Sequence, residues 1–89
     1  MSKRIHLKVV TTEGVAVEDE AVSIRAPGGL GSFGVLYNHA PMVSTLLPGK
    51  LIWRHTDGTS KTLIVGSGVV EVAKNRVTLL TSSAKAPVD

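Results

Sequence analysis

Gly29, Gly31 and Gly34 spell G-x-G-x-x-G, the spacing with which a backbone turn can cradle a pyrophosphate. That chemistry needs a strand before it, a long helix after it and a carboxylate roughly 20 positions further on. The residues that follow, Val35-Leu36-Tyr37-Asn38-His39-Ala40-Pro41, cannot open such a helix, and Trp53 stands where the acid would be. The glycines therefore read as turn formers. Gly28-Gly29-Leu30-Gly31 also matches the G-x-x-G of nucleic-acid loops, but such loops join two helices, and no helical pattern flanks this one. His6, His39 and His55 are far apart and share no metal-ligand spacing with any Asp or Glu. His6 and His55 fall at outward strand positions, where solvation is expected. His39 precedes Ala40-Pro41 in a turn between two apolar segments, a setting for a buried or interfacial hydrogen bond. Nothing places a serine on a strained elbow, so no nucleophile triad is drawn. These residues make no enzyme, and no cofactor or metal is implied.

The elements that must hold these residues follow from composition and alternation. Eighty-nine residues suffice for one domain with a modest core. Cysteine is absent, which excludes disulfide staples and thiol chemistry. No apolar run approaches the ~18 residues of a membrane helix, and the N-terminus lacks an apolar signal region, so a cytosolic protein is expected. Ten Lys and Arg against seven Asp and Glu give a net charge of +3. The basic residues are scattered singly, and Phe33, Tyr37 and Trp53 do not interleave with them as a stacking platform would. On composition alone, a small basic barrel that binds nucleic acid stays open as an alternative.

Twenty-five residues are Val, Ile or Thr, which pack well on a pleated surface. Ile5, Leu7 and Val9 alternate with His6 and Lys8, and Val22, Ile24 and Ala26 alternate with Ser23 and Arg25. Glu18-Asp19-Glu20 reads as a solvated approach to the second of these strands. Asp57-Gly58 predicts a two-residue hairpin turn, with Trp53 opposite Thr62 and Leu51 opposite Ile64. Lys74-Asn75 predicts a second hairpin, with Val72 opposite Val77 and Val70 opposite Leu79. Gly66-Ser67-Gly68 predicts a bend between them. No window keeps a helical apolar period. The pattern is all-β, a sandwich or flattened barrel in one domain over residues 1–82, with 83–89 as a tail.

The stretch from Pro27 to Met42, Pro-Gly-Gly-Leu-Gly-Ser-Phe-Gly-Val-Leu-Tyr-Asn-His-Ala-Pro-Met, followed by Leu47-Pro48-Gly49, resembles the signature of the epsilon subunit of F-type ATP synthase. Val65-Gly66-Ser67-Gly68-Val69-Val70-Glu71-Val72 and Asn75 to Leu80 are similar to later motifs of that family, in the same order. The resemblance covers the whole chain and corresponds to the family's N-terminal domain. It implies a ten-stranded β-sandwich in the rotating central stalk, peripheral at the cytoplasmic face of a bacterial inner membrane. The partners it implies are the gamma subunit and the c ring, and the task is coupling rotor to ring in proton-driven ATP synthesis, without catalysis. It assigns Gly28, Gly29, Leu30, Gly31 and Ser32 to the c-ring contact and Thr11, His39 and Met42 to the gamma contact. Two departures stand out: Ser32 where the family often has Glu, and Tyr37-Asn38 where it has Pro-Gly. Most members continue into a C-terminal helical hairpin that brakes hydrolysis. Its absence here leads to the expectation of a chain without that brake and without ATP binding.

Overall fold

The computed structural model describes residues 3–87. Ten strands follow one another: β1 (Ile5–Thr11), β2 (Gly14–Ala21), β3 (Ser23–Gly28), β4 (Gly31–Leu36), β5 (Met42–Leu46), β6 (Gly49–Arg54), β7 (Ser60–Val65), β8 (Gly68–Ala73), β9 (Arg76–Thr81) and β10 (Ala84–Lys85). The hydrogen-bonded order is β10-β7-β6-β3-β5-β8-β9-β1-β2, with β4 on the free edge of β3. Every pairing is antiparallel except β1 with β9. The fold is the all-β sandwich expected from the alternation.

β3 turns the corner between two layers. Ser23, Ile24 and Arg25 pair with β6, whereas Gly28 pairs with Leu46 of β5. Pro27 lies at the handover, where its missing N–H removes a donor that the ladder would otherwise have to satisfy. Its carbonyl is still used, accepting from Leu47 N–H at 2.8 Å. One sheet is therefore β4-β3-β6-β7-β10 and the other β5-β8-β9-β1-β2. Their inward residues meet in one core: Ile24, Ala26, Val35, Leu51, Trp53 and Val65 from the first, and Ile5, Leu7, Val9, Leu46, Val70, Val72, Val77 and Leu79 from the second. At ~25 cal/mol per Å² of apolar surface, this burial is the main stabilising term of so small a domain.

The Lys74-Asn75 hairpin has the expected register, Val72 opposite Val77 and Val70 opposite Leu79. Both turn residues take positive φ, 53° and 60°, the type I′ geometry that suits the strand twist. The other hairpin is shifted by one residue. Leu51 pairs with Leu63 and Trp53 with Lys61, because the loop holds three residues, Thr56, Asp57 and Gly58. Gly58 N–H donates to His55 O at 3.0 Å, and His55 N–H to Thr59 O at 2.8 Å. Gly58 at φ 89° supplies the left-handed residue that closes a three-residue loop. Asp57 Oδ1 completes it by accepting from Thr59 N–H and Thr59 Oγ1–H, at 2.9 and 2.7 Å.

Three further expectations are corrected. Glu18-Asp19-Glu20 is not an approach to a strand but part of β2, in register with Lys8, Leu7 and His6. Val22 lies in the bend between β2 and β3, outside either strand. The residues expected as tail contain β10, whose Ala84 and Lys85 pair with Val65 and Ile64. Thr81, buried at the end of β9, sets its hydroxyl 2.9 Å from Gly66 O and thereby fixes the Gly66-Ser67-Gly68 bend.

Candidate interaction surfaces

The Gly-rich segment is the tip of the β3–β4 hairpin. Gly28 pairs with Gly31, so Gly29 and Leu30 form a two-residue turn, and Gly31 at φ 118° occupies a conformation closed to other residues. Gly29 N–H donates to Thr45 O at 3.1 Å, which seats the turn against β5. Leu30 projects fully into solvent, and Leu47 beside the hairpin is half-exposed. Ser32 points to the outer face, where its Oγ accepts from Arg25 Nη1 at 3.0 Å. The hydroxyl is thus already engaged within the chain.

Thr11, His39 and Met42 do not form one cluster. Thr11 closes the β1–β2 hairpin, its Oγ1 accepting from Glu13 N–H at 3.1 Å. The register runs Gly28 to Leu46 to Gly68 to Thr81, and β9 lies beside β1 with Leu80 next to Val10. Thr11 therefore sits at the same end of the sandwich as the Gly-rich hairpin. His39 sits at the other end, because Asn38 N–H donates to Asn75 Oδ1 at 2.6 Å and Asn75 O accepts from His6 N–H at 2.9 Å. Asn38 at φ 65° supplies the left-handed turn residue, so the departure to Tyr37-Asn38 keeps a tight turn, closed by His39 N–H to Leu36 O at 3.1 Å. His39 Nδ1 lies 2.7 Å from Ala40 O, a bond that requires the proton on Nδ1 and leaves Nε2 as an acceptor. Met42 packs against the core opposite Val72. The outward side chain there is its neighbour Val43, which is well exposed.

Sequence reasoning missed the most extensive feature, an apolar row on the outer face of the second sheet. Val69 pairs with Leu80, Leu80 with Val10 and Val10 with Val15, so four side chains line up across β8, β9, β1 and β2. Val69, Leu80 and Val15 are 42%, 55% and 53% exposed, with Val43 on β5 nearby. The signal was present as apolar doublets, Val9-Val10, Met42-Val43, Val69-Val70 and Leu79-Leu80, in four neighbouring strands. A doublet puts one apolar residue on each face, the mark of a sheet covered on both sides.

His55 is not solvated in the way expected. Its Nε2 meets Asp19 Oδ2 at 2.6 Å, and its Nδ1 lies 3.1 Å from Thr59 Oγ1. The same carboxylate oxygen accepts from Trp53 Nε1–H at 2.8 Å, and Oδ1 accepts from Glu20 N–H at 2.8 Å. Burial works against ionisation of Asp19, but the bonds from His55, Trp53 and Glu20 outweigh it and hold the carboxyl at about 2. His6 pairs with Glu18 on the adjacent strand at 2.9 Å.

The structure thus describes a sandwich with a projecting Gly-rich hairpin at one end and an uncovered apolar face. Residues 4–87 match the family described as ATP synthase, Delta/Epsilon chain, beta-sandwich domain, and the chain belongs to that family. It is 42% identical over all 89 residues to the ATP synthase epsilon chain of Desulfosudis oleivorans, of which it covers 67%. It is 36% identical to that of Nitratidesulfovibrio vulgaris, covering all of this chain and 66% of that one. The chain thus spans about two thirds of the length of these relatives. The fold superposes with a TM-score of 0.90 on a chain of the Euglena gracilis mitochondrial ATP synthase OSCP/F1/c-ring structure, at 22% identity, covering all of this chain and 58% of that one. A chain of the Tetrahymena thermophila central stalk and c-ring structure gives 0.76 at 17% identity, with 92% and 66% covered.

Proposed function

We propose that the chain is a non-catalytic rotor subunit of an F-type ATP synthase that ties the gamma subunit to the c ring during proton-driven ATP synthesis, at the cytoplasmic face of a bacterial membrane. The observation that carries this reading is the apolar row Val69, Leu80, Val10 and Val15, which runs exposed across four strands on the outer face of the second sheet. Exposed apolar surface of this extent marks a protein interface. The gamma subunit covers this face, flanked by Thr11 at one end and His39 at the other. His39 Nε2 accepts a bond from it, and Val43 takes the outward role expected of Met42. The hairpin Gly28, Gly29, Leu30, Gly31 and Ser32 bears on the c ring, with Leu30 as the protruding contact.

The test is binding of the full chain to purified gamma subunit, followed by retention on detergent-solubilised c ring. Leu80→Glu is expected to weaken gamma binding at least 100-fold, while Leu30→Asp leaves gamma binding intact and removes retention on the ring. Unchanged gamma binding by Leu80→Glu would overturn the assignment of the face.

A further inference from the structure

The outer face of the other sheet carries charge of a single sign. Arg25 on β3 and Lys50 and Arg54 on β6 all point outward, and no Asp or Glu does so from β3, β4, β6 or β7. Neither of the two ion pairs among the described residues involves them. Between Arg25 and Arg54 lies a concavity of about 410 Å³. Its floor is opened by Gly34, which has no side chain to fill the space beside Arg25. Its walls are apolar: Leu36, 64% exposed, on β4 and Ile52, 36% exposed, on β6. Arg25 pairs with Ile52 and Ser23 pairs with Arg54, so the two guanidinium groups stand diagonally across neighbouring strands. Ser32 already holds the Arg25 guanidinium in place, whereas no hydrogen bond among the described residues engages that of Arg54.

A groove with apolar walls and unpaired guanidinium groups complements one chemistry in particular. We propose that it docks an acidic amphipathic polypeptide segment, with a Leu-like side chain seated between Leu36 and Ile52 and a carboxylate forked on Arg54. Planar, bidentate recognition of a carboxylate is what an arginine head group does best. The apolar walls favour a peptide over a bare anion, since they supply burial that phosphate or a nucleotide tail could not use. This surface lies on the sheet opposite the Val69–Leu80 row, and the proposal does not depend on the stalk reading.

The experiment is an amide NMR titration of the ¹⁵N-labelled full chain with two designed peptides of 16 residues. One carries Leu and Glu on a single helical face, and its twin carries Lys in place of Glu. The acidic peptide is expected to shift the amides of Arg25, Gly34, Leu36, Ile52 and Arg54, at least tenfold more tightly than its twin. The double variant Arg25→Glu/Arg54→Glu is expected to reverse that preference while keeping a dispersed spectrum. Equal binding of both peptides, shifts centred on Val69 and Leu80, or no shifts at millimolar peptide would each overturn the proposal. So would protection of the same amides by phosphatidylglycerol vesicles with neither peptide bound, which would give the face to a membrane instead.

Discussion

Trp53 of β6 donates its indole N–H to Asp19 of β2 across 2.8 Å, joining two strands that lie far apart in the order of the hydrogen-bonded sheet. β2 ends that order and β6 is third from its other end, so the bond fastens the open side of the flattened barrel. His55 reinforces it through the same carboxylate oxygen.

Replacing Asp19 should loosen this closure. Asp19→Ala is expected to lower unfolding stability by about 1–2 kcal/mol, the modest end for bonds to a charged acceptor, because the site is partly open to water. Trp53 is the sole tryptophan, so its emission should shift to the red in the variant. Urea titration followed by that emission measures both effects.

Acid stability should carry the signature of the same group. The folded-state value of Asp19, about 2, lies below the ordinary 3.8. Its contribution is therefore complete above pH 3.8 and fades as the pH falls through about 2. Asp57 is shifted in the same direction by its bonds from Thr59. Asp19→Asn should flatten the acid limb of a stability profile in this window, and a limb as steep as in the parent chain would count against the assignment.

How much of this was legible in the residues depends on what each signal measures. Alternation named Ile5, Leu7, Val9, Ile24 and Ala26 as core, and all five are buried, because period two is set by the pleat itself. The turn after Ala73 was legible because Asn75 takes positive φ readily. Asp57-Gly58 misled because the same dipeptide serves a two-residue loop and a three-residue loop, and His55 O accepting from Gly58 N–H selects the latter. Glu18-Asp19-Glu20 was misread because Glu18 is partnered by His6 on β1 and Asp19 by Trp53 and His55, which are distant in sequence. The split of Thr11 from His39 was illegible for a related reason: which end of a sheet a loop occupies depends on pairing order, on which local pattern is silent.

Asn75 should matter to the His39 loop. It supplies the acceptor for Asn38 N–H and donates through Nδ2 to Asn38 Oδ1 at 3.2 Å. Asn75→Ala removes both bonds and leaves Ala at φ 60°. A loss of about 2–3 kcal/mol is expected, with amide shifts at Asn38 and His39. Lys74→Asn, which relaxes the neighbouring left-handed residue, should instead raise stability by about 0.5 kcal/mol.

Gly68 tests the packing of the bend before β8. A Cβ there would overlap the Leu80 carbonyl oxygen on the paired strand. Gly68→Ala is expected to cost about 2–3 kcal/mol, as overpacking against backbone does. Thermal denaturation of an 89-residue domain should register this as a fall of roughly 10 °C or more.

The parallel pairing of β1 with β9 governs how the chain is born. His6 comes to rest beside Arg76 and Val10 beside Leu80, so the ribosome must add roughly 70 residues before the first strand finds its inner neighbour. At ~5–20 residues per second the nascent β1–β2 hairpin waits for several seconds with Ile5, Leu7 and Val9 unsheltered. Closure of the core is therefore a late event that waits for β9 to be made. A chaperone that grips short β-branched apolar stretches has its natural opening in that interval.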